Sequence, residues 1–395
     1  MHVRMLSRDV DIRKVLERIG VHPQGVEILT RKSECYRIYI SGLSPVCANI
    51  IKQEMLAAGG DAAIPMDAIT GRGGNCDVVL LGTEKTLRVF INKLKIQPFN
   101  LGELASQITQ IYENYGRKDR LWNTGKHRIN LIKPVVMGIL NVTPDSFSDG
   151  GKYIEAERAI QHTRAMIEAG AEIIDIGAES TRPGSRRLSA DEEIARLEGV
   201  LEHILDLNKP VSIDTYKPEV AKYAIEQGVE IVNDIFGLRK PGMVELIKEY
   251  GVGVCVMHMK GEPETMQNAP HYDDLMGEIC TFLHQQTAHA EHAGIEHDKI
   301  VIDPGIGFGK SMEHNYEILA RLDEFLSLGY PVLVGTSRKS FIGRVLENAP
   351  PESQARLYGT IAMNMLALLK GASILRVHDV KENVDLIKLY EKVNI

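Results

Sequence analysis

The sequence predicts an α/β protein in which a (β/α)8 TIM barrel over residues 134–395 follows a smaller N-terminal α+β domain, 1–115, and a linker, 116–133. Three observations lead there. From residue 134 onward, eight short β-rich runs alternate with helix-like stretches, and eight such units over about 260 residues match the usual size of a closed parallel barrel. Polar residues gather at the C-terminal ends of those runs. The first part of the chain reads differently, with two strands among several helices.

In chain order, the N-terminal segment offers a strand at 36–42 (YRIYISG), a helix near 46–58, a strand at 77–82 (DVVLLG) and helices at 84–94 and 101–114. This mixed order fits a small α+β domain. Gly71, Arg72, Gly73 and Gly74 read as a mobile loop, since they follow no phosphate-loop pattern. The basic stretch with Arg117, Lys118, Arg120, Lys126, Arg128 and Lys133 carries Gly116, Asn123 and Gly125 and little apolar periodicity, so it reads as a solvated linker.

The eight barrel strands are expected at 134–141, 172–177, 211–215, 230–234, 253–258, 300–304, 331–336 and 374–378. Their continuous apolar character suits parallel strands buried on both faces. Helices are expected between them, among others at Ala156 to Glu168, Asp191 to Leu205, Pro218 to Glu226, Tyr272 to His292 and Ser353 to Leu369. A doubly wound open sheet has the same periodicity; the number eight favours the barrel.

Composition narrows the function. The 395 residues, 44% hydrophobic and 25% charged, are ordinary globular material. The apolar runs are strand-sized, far short of the ~20 residues that cross a bilayer, and the N-terminal residues lack the pattern of a signal peptide. The expectation is a cytoplasmic protein without a membrane span. The five cysteines form no C-x-x-C pair, so they are read as reduced and mostly buried. A net charge of -7 argues against a nucleic-acid partner.

Asn141, Asp214, Asn233, Asp234, His258, Asp303 and His378 all stand where a predicted strand gives way to its loop. In a parallel barrel these ends converge on one mouth, where active sites are built. The first loop, Asn141 to Gly151, is long and rich in hydroxyls and carboxylates; the second, Glu179 to Ser185, sets Arg182 beside Pro183. The sixth, Asp303 to Ser311, resembles a Walker A loop but has Pro304 where the first glycine belongs, so an ATPase reading drops out. Lys339, Arg376 and His378 near the rim suit an anionic group. Together these residues suit a flat, donor-rich ring held deep in the barrel and a phosphate-like group at its rim.

The segments NVTPDSFSDGG, ESTRPGS, SIDTYKPEVA, MHMKG-P-MQ, DPGIGFGK, TSRKSFIG and RVHDV, in this order, resemble the signature loops of the dihydropteroate synthases over about residues 134 to 392. The resemblance implies condensation of 6-hydroxymethyl-7,8-dihydropterin diphosphate with p-aminobenzoate, two small-molecule substrates, in a sulfonamide-sensitive homodimer. It assigns the pterin to Asp214, Asn233, Asp303 and Lys339, and the diphosphate to Asn141, Arg376 and His378, with Asn141 a ligand of Mg2+. It frames p-aminobenzoate with Thr181, Arg182, Pro183, Phe308, Ser337 and Lys339, and it makes Asp149, Asp303 and Lys339 the catalytic set. Lys260 and Phe236 depart from residues common in the family. Two rival readings remain at this level: a methyltetrahydrofolate–corrinoid methyltransferase, which shares the barrel and pterin pocket, and a catalytically silent pterin-binding protein. The diphosphate-binding and loop residues count against both.

Overall fold

A computed structural model describes residues 3–7, 10–71, 74–117, 120–142, 152–179, 186–262 and 265–393. The chain divides into two compact units, Met1–Tyr112 and Glu113–Ile395.

The first unit holds a three-stranded antiparallel sheet of β1 (Cys35–Leu43), β2 (Asp61–Ala63) and β3 (Cys76–Thr83), in the order β1-β3-β2. One face packs on helices Pro45–Ala57 and Glu84–Leu94, whose Ile51, Met55, Phe90 and Leu94 are buried with Ile38, Val78 and Leu80. Both helices start where the sequence supplies a cap: the hydroxyls of Ser44 and Thr83 accept from the N–H groups of Cys47 and Thr86. The expected strands and helices are present, joined by three short helices, Ile12–Arg18, Pro23–Ser33 and Met66–Thr70, and by β2. Arg72 and Gly73 of the glycine-rich loop lie outside the described residues.

Residues read as a linker fold instead into a hairpin of β4 (Leu121–Asn123) and β5 (Arg128–Asn130). Trp122 is fully buried there with Val135, Met137, Ile173, Ile231, Val301 and Ile374, residues from the first halves of the barrel strands. Its indole N–H donates to the Lys299 carbonyl at 2.9 Å. Gly253 packs closely beside it, where a Cβ would stand 3.1 Å from the indole nitrogen. Two basic residues of the stretch are tied to the barrel: buried Arg120 donates to the Tyr330 carbonyl and Lys126 to that of Gly228, while the neighbouring His127 pairs with Glu230. Three-residue strands around one tryptophan leave no periodicity for a sequence reading to find.

Eight parallel strands follow among the described residues: β6 (Val135–Asn141), β7 (Ile173–Gly177), β8 (Val211–Asp214), β9 (Ile231–Asp234), β10 (Gly253–Met257), β11 (Ile300–Asp303), β12 (Leu333–Val334) and β13 (Ile374–Val377). They pair in the order β11-β10-β9-β8-β7-β6-β13-β12, and a parallel bridge between Ile302 and Val332 joins the two ends. The (β/α)8 barrel read from the sequence is therefore closed. Strand residues are buried almost throughout, which is why these runs are apolar without alternation.

The helices begin and end on local signals. Ser189 and Glu192 form a reciprocal capping box at Ala190–Leu197, Pro218 opens Pro218–Gln227, and Gly228 at φ 122° closes it. The stretch expected as one helix from Asp191 to Leu205 is two, Ala190–Leu197 and Leu201–Leu205, separated around Gly199 at φ 76°. All five cysteines are free; Cys47 and Cys255 are buried, but Cys35 is exposed and Cys76 and Cys280 are half-buried. No helix among the described residues is long and apolar enough to cross a membrane.

Candidate active site

Parallel strands deliver their last residues to one mouth. There Asn141 ends β6, Asp214 ends β8, Asn233 and Asp234 end β9, Asp303 ends β11, and His378 follows β13. Arg376 lies within β13 and Asp175 within β7. The centre of the arrangement is an ion triad. The Arg376 guanidinium donates through Nε to Asp175 Oδ2 at 2.5 Å and through Nη2 to Asp214 Oδ2 at 2.5 Å, while Asn233 Nδ2 donates to the same Asp175 oxygen at 3.2 Å. Three strands are thus tied by one fork.

Burial sets the electrostatics. It pushes the Asp214 carboxyl up to about 7, against the pull of Arg376 and with the help of Asp175. Burial opposes the charge on Arg376, but the two carboxylates outweigh it and raise the guanidinium further. Asp175 Oδ1 and Asp214 Oδ1 are buried acceptors with no hydrogen bond among the described residues, a state that calls for donors on a bound molecule.

Across the mouth, Asp303 accepts from the Gly305 N–H at 2.7 Å and is raised by its burial, with Lys339 pulling the other way. Lys339 donates to the Ile306 carbonyl, and its ammonium sits 4.5 Å from the centre of the Phe308 ring. Burial lowers it to about 8, Asp303 opposing and Arg376 assisting. Gly307 makes room for it: a Cβ there would approach Lys339 Cδ to 3.0 Å. Ser337 Oγ is 3.0 Å from His378 Nδ1 and accepts from the His378 N–H at 3.1 Å, so loops seven and eight are joined at the rim. The neighbouring Arg338 is bidentate to Asp379, at 2.5 and 3.0 Å, which leaves the cationic role at this loop to Lys339.

Most residues singled out in the sequence come together here: Asn141, Asp214, Asn233, Asp303, Phe308, Ser337, Lys339, Arg376 and His378 all line or adjoin the mouth. Two strand-end residues do other work. Asp234 accepts from the N–H groups of Phe236 and Leu238, both at 2.8 Å, and so shapes its own turn. His258 is turned to the buried Lys310 at 2.9 Å; burial, then Lys310, lowers its imidazole to about 2. Asp149, Thr181, Arg182 and Pro183 lie outside the described residues.

The base of the second loop is anchored. Glu179 accepts from Lys217 and, at 3.4 Å, from the Tyr216 hydroxyl, and Lys217 also pairs with Glu193 at 2.7 Å. The two departures from family residues are absorbed by packing: Phe236 stacks on Tyr216 with ring centres 4.4 Å apart, and Lys260 bridges Glu278 at 2.8 Å and the Tyr272 ring at 4.1 Å. Asp175 and Lys310 were given no role in the sequence reading. A carboxylate inside the otherwise apolar run IIDIG was the available signal for the first, because an acid is tolerated in a buried strand only when something pairs with it.

Comparison with known proteins agrees with this geometry. Residues 137–378 match the family model of the pterin binding enzymes. The dihydropteroate synthase of Escherichia coli (strain K12) is 49% identical over 264 residues, 67% of this chain and 93% of that protein. The probable bifunctional folylpolyglutamate synthase/dihydropteroate synthase of Haloferax volcanii is 37% identical over 392 residues, 95% of this chain and 45% of that protein, a match that takes in the N-terminal unit. Among solved structures, the Yersinia pestis dihydropteroate synthase with a sulfonamide drug superposes with a TM-score of 0.65 at 44% identity, over 69% of this chain and 98% of that one. A closed barrel with this mouth, this family match and these relatives lead to one conclusion: the chain belongs to the pterin-binding enzyme family, as one of its dihydropteroate synthases.

Proposed function

We propose that the barrel mouth joins 6-hydroxymethyl-7,8-dihydropterin diphosphate to p-aminobenzoate, releasing pyrophosphate and 7,8-dihydropteroate. The observation that carries this reading is the pair of buried carboxylate oxygens, on Asp175 and Asp214, left open beside a locked guanidinium. A pterin edge presents amino and ring N–H donors, and Asp214, Asn233 and Asp303 offer acceptors for them. Asp175 holds Arg376 and Asn233 in place for that contact.

The anionic end of the first substrate falls to Asn141, Arg376 and His378. Arg376 spends Nε and Nη2 on the carboxylates and makes no hydrogen bond through Nη1 among the described residues, which supports a role toward a diphosphate oxygen. Asn141 is half-buried at the end of β6, and its side chain makes no hydrogen bond among the described residues. No cluster of three or more His, Cys, Asp or Glu able to hold a metal is found among the described residues. One amide oxygen fits Mg2+ that arrives with a diphosphate, since that ion keeps waters and phosphate oxygens as its other ligands. When bound there, the ion neutralises charge on the diphosphate.

The carbon–oxygen bond to the diphosphate breaks with its electron pair leaving on pyrophosphate. Positive charge then develops on the pterin methylene, and Asp303, with Asp149 from the first loop, is suited to stabilise it. The amine of p-aminobenzoate supplies its lone pair to that carbon and releases a proton to solvent. Phe308, Ser337 and Lys339, with Thr181, Arg182 and Pro183, position the amine, and positioning is most of what an aniline requires. Sulfonamides compete at this place by presenting the same ring. Exposed Tyr358 and Leu369, 62% and 53% exposed on helix Gln354–Leu369, support a homodimer through this region.

The test is pyrophosphate release by the full chain supplied with pterin diphosphate and Mg2+. Steady release that depends on p-aminobenzoate and disappears in Lys339→Ala is the expected result. Absence of release with both substrates, in protein that still binds pterin, would defeat the proposal.

A further inference from the structure

The sixth loop is held carbonyl by carbonyl. Four successive oxygens, of Ile306, Gly307, Phe308 and Gly309, each accept a side-chain donor: Lys339 Nζ, Gln267 Nε2 at 2.6 Å, Lys310 Nζ at 3.0 Å and Tyr272 Oη at 2.8 Å. The loop also lies directly on the main chain that follows β10. A Cβ on Gly305, at φ 69°, would stand 1.9 Å from the His258 oxygen, and one on Gly309, at φ 64°, 2.2 Å from that of Lys260. Loop six is therefore held at four successive carbonyls, by three donors from outside the loop and by Lys310 at its own end.

Lys310 is the unusual member of this set. It is 2% exposed, and its ammonium lies 2.9 Å from His258 Nδ1, 3.3 Å from the His258 carbonyl and 3.0 Å from the Phe308 carbonyl. Three polar partners thus surround the Lys310 nitrogen, two of them carbonyl oxygens that accept from it. Burial disfavours the charged form of Lys310 and lowers it well below the usual lysine range, with Asp303 opposing, and a buried lysine that hydrogen-bonds none of the mouth carboxylates is a costly way to fill space. What it does touch is the carbonyl of Phe308, whose ring is the surface under the Lys339 ammonium.

We propose that Lys310 and Gln267 are positioning residues for the second substrate: by holding the carbonyls of Phe308 and Gly307 they fix the Phe308 ring against Lys339 and so set the p-aminobenzoate site. This rests on the reading of the mouth as a synthase site. Neither residue hydrogen-bonds Asp214, Asn233 or Asp303; Lys310 feels the Asp303 charge while Gln267 meets only the Gly307 carbonyl, so the Gln267 variant separates the two substrates most cleanly.

The experiment is steady-state kinetics of the full chain with each substrate varied in turn, for the wild type, Lys310→Met and Gln267→Ala, with a thermal melt of each. Displacing a binding surface without touching the reacting groups appears as a change in KM. Lys310→Met is expected to raise KM for p-aminobenzoate about tenfold while KM for the pterin diphosphate stays within about threefold. Gln267→Ala, on the exposed side of the loop, is expected to raise the first by about threefold with an unchanged melt. A purely structural role would reduce the active fraction, and hence kcat, without moving either KM. An unchanged KM for p-aminobenzoate in a folded Lys310→Met, or equal rises for both substrates, overturns the proposal. If Lys310→Met does not fold, an unchanged KM in Gln267→Ala overturns it alone. A wild type without p-aminobenzoate-dependent turnover fails the synthase reading and this proposal with it.

Discussion

Asp175→Ala is the perturbation that most sharply probes the ion triad. Asp175 is fully buried and accepts from Arg376 at 2.5 Å and from Asn233 at 3.2 Å. Removing one partner of a buried pair costs about 3–5 kcal/mol; Asp214 still holds the guanidinium, which places this case near the low end of that range. The Asn233 amide then loses its acceptor, adding about 1 kcal/mol. The expected loss is about 4 kcal/mol for Asp175→Ala. Asp175→Asn keeps both acceptor contacts and loses only the charge, for about 1 kcal/mol. It also lowers the titration of Asp214, because Asp175 is one of the charges that raises it. The assay is denaturant unfolding followed by tryptophan fluorescence. The chain has a single tryptophan, and Trp122 is buried against the barrel strands, so the signal reports the barrel alone. A loss under about 1 kcal/mol for Asp175→Ala, or an asparagine variant worse than the alanine one, would refute the reasoning.

The remaining expectations concern titration and packing. Asp214 is protonated below about 7 and Lys339 deprotonated above about 8, so kcat/KM for the pterin substrate should be bell-shaped with limbs at those values, the alkaline limb vanishing in Lys339→Arg; a flat profile from pH 6 to 9 counts against these assignments. Gly305→Ala places a methyl 1.9 Å from the His258 oxygen at a positive φ, and should cost about 3 kcal/mol and most of the turnover, read by melting and activity. Trp122→Ala should cost about 3–5 kcal/mol, followed by circular dichroism, while leaving KM for both substrates unchanged.

The barrel was legible because its strands are apolar on both faces and its helices carry local caps; the runs at 134–141 and 300–304 differ from β6 and β11 only at their ends. The mouth was legible because strand ends are where polar residues have no packing reason to be. What stayed hidden depends on distant partners. Asp175 differs from a misplaced acid only through Arg376, two hundred residues away in sequence. Lys310 reads as the end of a glycine loop until His258 is beside it. The hairpin around Trp122 lacks both length and alternation, so its basic residues masked a plug for the barrel floor as a solvated connection. Asp234 and His258 show the opposite failure: both stand at strand ends, and both turn to shape loops rather than to line the site.

The most direct test of the synthase reading is mass-spectrometric identification of the pterin product formed by the full chain from pterin diphosphate and p-aminobenzoate, measured beside pyrophosphate. The account predicts 7,8-dihydropteroate in one-to-one amount with pyrophosphate, and loss of both in Arg376→Met. Pyrophosphate without dihydropteroate, or neither from folded protein that binds the pterin, would contradict it.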